Sequence, residues 1–241
     1  AEEAAAALFG EIWHASGERQ VAFRDGARYV ARLARLSSGR EGGAEGTLDF
    51  PAGTPYRLAM PEPGTLENLR LEPSTRRPPG PGEIELRVRA TGLIFHDVLA
   101  ALGLLPRDAG DGLGAECSGE VVRVGPGVDG FRAGDPVVAV SPDSFSQFLT
   151  VPAACAAAKP RCLSFEEAAG LPIACLTARY ALEDLAALQA GERVLIHAAS
   201  GGVGLAATQL AQRAGAEVLA TASRGKWPTL EAYGVCHVMD S

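Results

Sequence analysis

Apolar and polar residues alternate most regularly in the middle of the chain. From Ile84 to Ala90 every second residue is apolar and the residues between are charged, which predicts a half-buried strand. Further short apolar runs lie at 120–124, 136–140 and 146–151, separated by Gly-Pro-Gly and Ala-Gly-Asp turns. Short strands at this spacing predict a compact, barrel-like β domain.

The hydrophobic period becomes helical in the last third of the chain. Ser164 and Glu167 have the spacing of a capping box, and Pro172 separates that helix from a second one that extends to about Leu188. A continuous apolar run from Val194 to Ile196 follows. Such a run is typical of a central strand in a parallel sheet that is covered on both faces.

A turn of small residues follows this strand directly and resembles the pattern G-x-G-x-x-G with alanine in the first place. Its residues are Ala199, Ser200, Gly201, Gly202, Val203 and Gly204. Small residues let backbone amides approach a pyrophosphate, and the last glycine lets the next helix pack close to the strand. Small residues in a turn can also be ordinary turn chemistry, so the motif depends on its context.

The residues after the turn supply that context. Apolar residues at helical spacing predict a helix whose buried face carries Val203, Ala207, Leu210 and Ala214, and Gly215 is placed to end it. Residues 217–221 predict a second strand. Strand, turn, helix and strand form a βαβ unit, with a helix N-terminus that favours anions.

The end of the second predicted strand indicates which dinucleotide fits. A site for NAD usually has an acidic residue there, on the ribose hydroxyl. This chain has Thr221, Ser223, Arg224 and Lys226 at that point and no carboxylate. A hydroxyl and two cations can hold a 2′-phosphate, which favours NADPH over NADH, with Ser223 and Lys226 as the predicted contacts. The alternative is that Arg224 and Lys226 are ordinary solvated charges.

The beginning of the chain has a different pattern. A short amphipathic stretch at 8–13 precedes two strand-like segments, 20–23 and 28–33, around the turn signal Asp25-Gly26. These elements are too few to bury a core. Residues 37–46 are rich in glycine, serine and charge, which predicts a flexible linker. The predicted domains are 1–46, 47–163 for the β domain and 164–241 for the dinucleotide-binding part.

Composition narrows the possible partners. The chain has 241 residues and a net charge of −7, which argues against nucleic-acid binding because phosphate neutralisation needs a basic face. No apolar run approaches a membrane span, and the start has no basic leader, so the predicted location is the cytoplasm. The five cysteines show no C-x-x-C spacing. We expect them to be buried small residues without a disulfide framework or zinc ribbon.

Two segments resemble the medium-chain dehydrogenase/reductase superfamily. They read GAECSGEVVRVGPGVDGFRAGDPVVAV at 114–140 and HAASGGVG at 197–204. The resemblance implies a GroES-like β-barrel substrate domain followed by a Rossmann dinucleotide-binding domain, an α/β plus β fold. The Rossmann domain is expected to be incomplete in this chain, because Ser241 falls on what should be its third strand.

Three further segments are similar to the enoyl reductase domains of type I polyketide synthases, with fatty acid synthases next. They read ATGLIFHDVLAALGLLP at 90–106, GLPIACLTARYAL at 170–182 and ATASRGKW at 220–227. The first 36 residues resemble the end of a ketoreductase structural subdomain. The resemblance implies a zinc-free reduction of an enoyl thioester on an acyl carrier protein, with neighbouring megasynthase domains as partners and Thr177 at the cofactor.

Some residues depart from the family. Alanine occupies the histidine place in Gly114-Ala115-Glu116, and no cysteine lies near Leu93, so a catalytic zinc lacks its ligands and no metal is expected. Ile94 and His96 stand at the places of a family asparagine and arginine. Leu105 stands where many relatives have a proton-donating tyrosine. Ile94 and Leu105 are therefore predicted to line the substrate pocket, and no catalytic residue is identified.

Three functions agree with this sequence. The first is an NADPH-dependent enoyl reductase domain, which the turn from Ala199 to Gly204 favours because a remnant has no need to keep a phosphate cradle. The second is a catalytically silent remnant with a structural role, which Ile94 and Leu105 favour. The third is a stand-alone quinone reductase, which shares the glycine turn but not the first 36 residues.

Overall fold

The computed structural model describes residues 21–24, 27–30, 53–105 and 112–241. The chain divides into two compact units, Ala1–Thr47 and Leu48–Ser241. In the first unit, β1 (Val21–Arg24) and β2 (Ala27–Val30) pair antiparallel, which confirms the predicted hairpin strands. The turn between them, the amphipathic stretch and the predicted linker lie outside the described residues.

The second unit begins with two small elements and continues with the barrel. β3 (Tyr56–Ala59) pairs antiparallel with β4 (Arg70–Pro73). A five-stranded antiparallel sheet follows in the order β8-β5-β6-β7-β9. Its strands are β5 (Glu83–Thr91), β6 (Glu116–Val124), β7 (Pro136–Val140), β8 (Phe148–Pro152) and β9 (Ala156–Ala158), and helix α1 (Phe95–Ala101) lies between β5 and β6 in the chain. The β-rich middle of the chain is thus confirmed.

Large branched side chains fill the core of this sheet. Those with almost no exposure are Ile84, Leu86, Val121, Val137 and Val151. Cys117 belongs to the same core, and burial raises the pKa of its thiol to about 12. The expectation of buried cysteines is wrong for the other four, which are exposed. Single small residues at the surface cost little, so nothing forces these thiols inward.

Two helices connect the barrel to the dinucleotide region. α2 (Phe165–Ala169) begins with the predicted capping box: the Ser164 hydroxyl accepts from the Glu167 amide at 3.1 Å, and the Glu167 carboxylate accepts from the Ser164 amide at 2.8 Å. α3 (Pro172–Arg179) has its proline at the first position and continues as a wider π-helical segment, Tyr180–Leu185. The predicted second helix is therefore present and ends a few residues early.

The dinucleotide region is a parallel βαβ unit with one further strand. It consists of β10 (Arg193–Ile196), α4 (Gly202–Arg213), β11 (Glu217–Thr221), α5 (Trp227–Ala232) and β12 (His237–Met239). The strand order is β10-β11-β12, with Ile196 opposite Ala220. Gly215 has φ +80° just after the end of α4, the left-handed conformation that ends helices. These observations confirm the predicted βαβ unit.

Two details of this region differ from the sequence prediction. Among the described residues β10 pairs with β11 alone, and Leu195 is 49% exposed, so β10 is not covered on both faces. On α4, Ala207 is buried and Leu210 packs against the core as the helical spacing predicts, but Val203 is 44% exposed and Ala214 is exposed. The buried residues of α4 are Gly204, Ala206, Ala207, Thr208 and Ala211. Gly204 must face Ala198 and Ala199 because of its close contacts with their backbone, and this sets the phase of the helix.

Candidate dinucleotide site

The small-residue turn joins β10 to α4 and is fixed by backbone hydrogen bonds. The Ala199 amide donates to the Thr221 carbonyl at the end of β11 at 3.0 Å. The Gly201 amide donates to the Ala198 carbonyl at 2.9 Å. Ala198 itself has φ +49°, a left-handed conformation that is uncommon for a residue with a Cβ. The turn is therefore tied to β11, and the residue just before it, Ala198, has a strained backbone.

Gly204 and Gly202 serve different purposes in this turn. A Cβ at Gly204 would lie 2.5 Å from the Ala198 carbonyl oxygen and 2.6 Å from the Ala199 Cα, so only glycine fits. Apart from its chain neighbours and the backbone of its own helix, a Cβ at Gly202 would have no protein atom closer than the Ala174 Cβ, at 4.0 Å. No side chain among the described residues caps the start of α4. The protein thus leaves the space at Gly202 and the first amides of α4 open, as a dinucleotide's pyrophosphate requires.

Helix α3 packs beside this opening. The Ala174 side chain is the protein atom nearest to the Cβ position of Gly202, and Ala178 belongs to the core that α4 shares with the sheet. Thr177 lies on the same helix between these contacts and is exposed. α3 therefore brings the predicted cofactor residue Thr177 to the neighbourhood of the turn.

The parallel pairing of β10 and β11 places the predicted 2′-phosphate residues near the same edge of the sheet. Ser223 and Lys226 follow β11 in a short 3₁₀ turn, where the Lys226 amide donates to the Ser223 carbonyl at 2.8 Å, and both side chains are exposed. Arg224 instead binds the Asp240 carboxylate, Nε to Oδ2, at 3.1 Å. The sequence prediction missed Asp240, because its proximity depends on the pairing of β11 with β12.

Ile94 directly precedes α1 and Leu105 follows the end of α1 by four residues, so neither lies on the small-residue turn. Both are half-buried, and His96 on α1 is exposed. The buried Asp97 carboxylate accepts from the Ile94 amide at 3.0 Å and from the Gly114 amide at 2.9 Å. Asp97 therefore fixes the backbone on which Ile94 stands. Its carboxylate within an apolar stretch was the sequence signal for this role.

Glu116 links the barrel to α3 and was also missed as a site residue. Its carboxylate is buried at the start of β6 and accepts from the Ile173 amide, in the first turn of α3, at 2.7 Å. Burial raises the pKa of Glu116, the Ile173 amide lowers it, and the charge of Asp97 raises it further, with a net increase. The available signal was a carboxylate at the first position of a strand whose next residues, Cys117 and Ser118, are small.

The described residues contain neither a cluster of metal-binding side chains nor a helix that could span a membrane. In that part of the chain no three acidic, histidine or cysteine side chains converge in the manner of a metal site. None of the helices described has the length and hydrophobicity of a membrane span. The expectation of a metal-free site stays a prediction.

Comparison with known proteins places this geometry in a family. Residues 80–184 match the alcohol dehydrogenase GroES-like domain. Mycoketide-CoA synthase of Mycobacterium tuberculosis is 43% identical over 231 residues, which cover 94% of this chain and 5% of that protein. Erythronolide synthase EryA2 of Saccharopolyspora erythraea is 45% identical over 218 residues, which cover 90% of this chain and 6% of that protein.

Among solved structures, the CurK enoyl reductase has a TM-score of 0.75 and 45% identity, over 78% of this chain and 60% of that one. The chain thus spans about one twentieth of the two curated relatives and about three fifths of the solved domain. The GroES-like match, the relatives and the structural likeness agree with each other. The chain belongs to the medium-chain dehydrogenase/reductase superfamily and, within it, to the enoyl reductase domains of modular polyketide synthases.

Proposed function

We propose that this chain is part of an NADPH-dependent enoyl reductase that reduces the α,β-double bond of a thioester carried by an acyl carrier protein. The observation that carries the proposal is the open space at Gly202, next to the uncapped start of α4. The family membership supports an oxidoreductase of polyketide synthesis.

The described residues fit a dinucleotide. The amides at the start of α4 would hold the pyrophosphate, and Ser223 and Lys226 would hold a 2′-phosphate. Lys226 makes no ion pair with any residue in the described part of the chain, so its ammonium is available, whereas Arg224 is held by Asp240. When bound, the nicotinamide would supply a hydride to the β-carbon of the substrate.

The chain's own residues near α1 would bind the acyl group and not transfer a proton. Ile94 and Leu105 are apolar, so neither side chain can donate to the α-carbon. The proton must come from water or from another residue. Neighbouring domains of the synthase would deliver the carrier-bound thioester, as expected for relatives that are multidomain polyketide synthases.

The proposal is tested by incubating the protein with an α-methyl enoyl thioester on an acyl carrier protein and either NADPH or NADH. We expect reduction of the double bond, and NADPH binding at least about tenfold tighter than NADH, roughly 1.4 kcal/mol. Lys226→Ala should weaken NADPH binding and leave NADH binding unchanged. Equal affinity for the two dinucleotides would contradict the NADPH assignment, and reduction of a quinone in place of the thioester would favour a quinone reductase.

A silent remnant is the second candidate, and the apolar residues Ile94 and Leu105 favour it. This candidate predicts no reduction of the thioester, whether or not a dinucleotide binds. If the protein is active, the family resemblance implies a 2R product, and Leu105→Tyr should shift the product toward 2S because a phenol can donate a proton. Chiral analysis of both products measures this shift. An unchanged 2R excess from the folded variant would leave Leu105 as a packing residue only.

A further inference from the structure

Thr221 is the last residue of β11 and contacts the entry to the small-residue turn at three successive residues. Its hydroxyl oxygen accepts from the Ala198 amide at 3.3 Å and lies 3.2 Å from Nδ1 of His197. Its carbonyl accepts from the Ala199 amide at 3.0 Å. A hydroxyl has one proton and two acceptor sites, so it can bind the amide and the imidazole together.

The residue that Thr221 contacts is the strained one. Ala198 has φ +49°, and a residue with a Cβ adopts this conformation only when its surroundings hold it there. The Ala198 carbonyl accepts from the Gly201 amide at 2.9 Å and lies 2.5 Å from where a Cβ of Gly204 would be. The conformation of Ala198 therefore sets the position of the backbone from Gly201 to Gly204.

We infer that Thr221 is a positioning residue for dinucleotide binding, whose hydroxyl holds Ala198 in its left-handed conformation and so presets the amides of the turn. The inference rests on the proposed function, since it concerns the same site. Thr221 acts through Ala198, and its hydroxyl is already engaged with the turn. Its role therefore differs from those of Ser223 and Lys226, which would contact the ligand itself.

The first test replaces the Thr221 hydroxyl with a methyl group and keeps the shape of the side chain. Thr221→Val should weaken NADPH binding about three- to tenfold, the value of one hydrogen bond, whereas Thr221→Ser should bind like the parent. The KM for NADPH should rise in the valine variant while kcat at saturating NADPH stays near the parental value. A suitable control is Thr150→Val, because the Thr150 hydroxyl donates to the Arg77 carbonyl at 2.8 Å in the barrel. This control should leave NADPH binding unchanged.

The second test asks whether Thr221 acts through Ala198. Glycine adopts the left-handed conformation without help, so in an Ala198→Gly background Thr221→Val should change NADPH binding less than about twofold. An equal loss of NADPH affinity in both backgrounds would show that Thr221 contacts the ligand directly, and it would overturn the inference. No loss of affinity in either background would also overturn it. A parent protein that binds neither NADPH nor NADH would overturn the proposed function, and this inference with it.

Discussion

The barrel and the dinucleotide region use their apolar residues in opposite ways. The barrel buries large side chains such as Ile84 and Leu86 between its strands. The core of the dinucleotide region is mostly alanine, including Ala178, Ala199, Ala207, Ala211 and Ala220. Some larger residues of that region stay exposed, such as Leu195 at 49% and Val203 at 44%. The packing of large side chains therefore stabilises the barrel, whereas small residues in the dinucleotide region let backbone segments approach each other closely.

Charged residues show the same contrast. In the barrel the buried Glu85 carboxylate binds both Arg76, at 2.8 and 2.9 Å, and Arg123, at 2.5 and 2.9 Å. Arg76 also lies over the Phe148 ring, 3.9 Å from its centre. In the dinucleotide region Lys226 is exposed and the Arg224–Asp240 pair lies at the surface. The barrel thus buries one paired carboxylate, Glu85, whereas the charges named in the dinucleotide region lie at the surface.

The largest effect that we expect comes from removing volume in the barrel. Ile84 has no exposure, so Ile84→Ala should lower the free energy of unfolding by about 4 kcal/mol through lost burial and the cavity left behind. The control is Val203→Ala, which removes an exposed apolar side chain in the dinucleotide region and should cost less than about 1 kcal/mol. Urea unfolding measures both. Equal losses would contradict the contrast between the two regions.

The second-largest loss of stability is expected from adding side-chain volume in the dinucleotide region. Gly204→Ala places a methyl group within 2.7 Å of Ala199 backbone atoms, and the helix start must shift, at a cost of about 3 kcal/mol. Gly130→Ala is the matched control, since a Cβ at Gly130 meets nothing within 4 Å. Its effect should stay within about 0.5 kcal/mol. Thermal unfolding compares the stabilities of the two variants. A Gly204→Ala protein as stable as the parent would show that the close approach of Gly204 to the Ala199 backbone is not required.

A smaller effect is expected from the buried carboxylate of the barrel. Although burial raises the pKa of Glu85, hydrogen bonds from Arg123 and Arg76 lower it from 4.5 to about 2. The folded state thus favours the ionised form, and this stabilisation is present above the ordinary pKa and lost as the pH falls toward 2. Glu85→Gln should cost about 2 kcal/mol at neutral pH.

The pH profile tests the cause of that loss. The difference in unfolding free energy between the parent and Glu85→Gln should shrink between about pH 5 and pH 2. Glu120→Gln, which breaks a partly exposed pair with Arg89, should cost less than about 1 kcal/mol. A Glu85→Gln loss that does not change with pH would mean that packing, and not charge, is responsible.

The sequence predicted the elements of both regions because local signals determine them. The alternating residues of β5, the capping box at Ser164 and the glycine that ends α4 depend on neighbours within a few residues. The parallel pairing of β10 with β11 also followed from the βαβ pattern. The positions of the site residues on α3, on α4 and after β11 could therefore be predicted, whereas their contacts with a ligand stay predictions.

The features that the sequence did not predict depend on distant partners. Gly204 packs against the Ala198 carbonyl and sets the phase of α4, so apolar spacing identified Ala207 as a core residue but not the exposure of Val203. Asp240 binds Arg224 only because β12 pairs with β11. Glu116 binds the Ile173 amide, 57 residues away along the chain. Such contacts require the assembled fold.

Binding of NADPH to the parent protein and to Gly202→Val tests the central claim, that the small-residue turn is a pyrophosphate site. The nearest protein atom to a Cβ at Gly202 is 4.0 Å away, so the variant should fold, with a melting temperature near that of the parent. Its side chain would fill the space that the pyrophosphate needs, and fluorescence titration should detect no NADPH binding. A folded Gly202→Val protein that binds NADPH as tightly as the parent would contradict the claim.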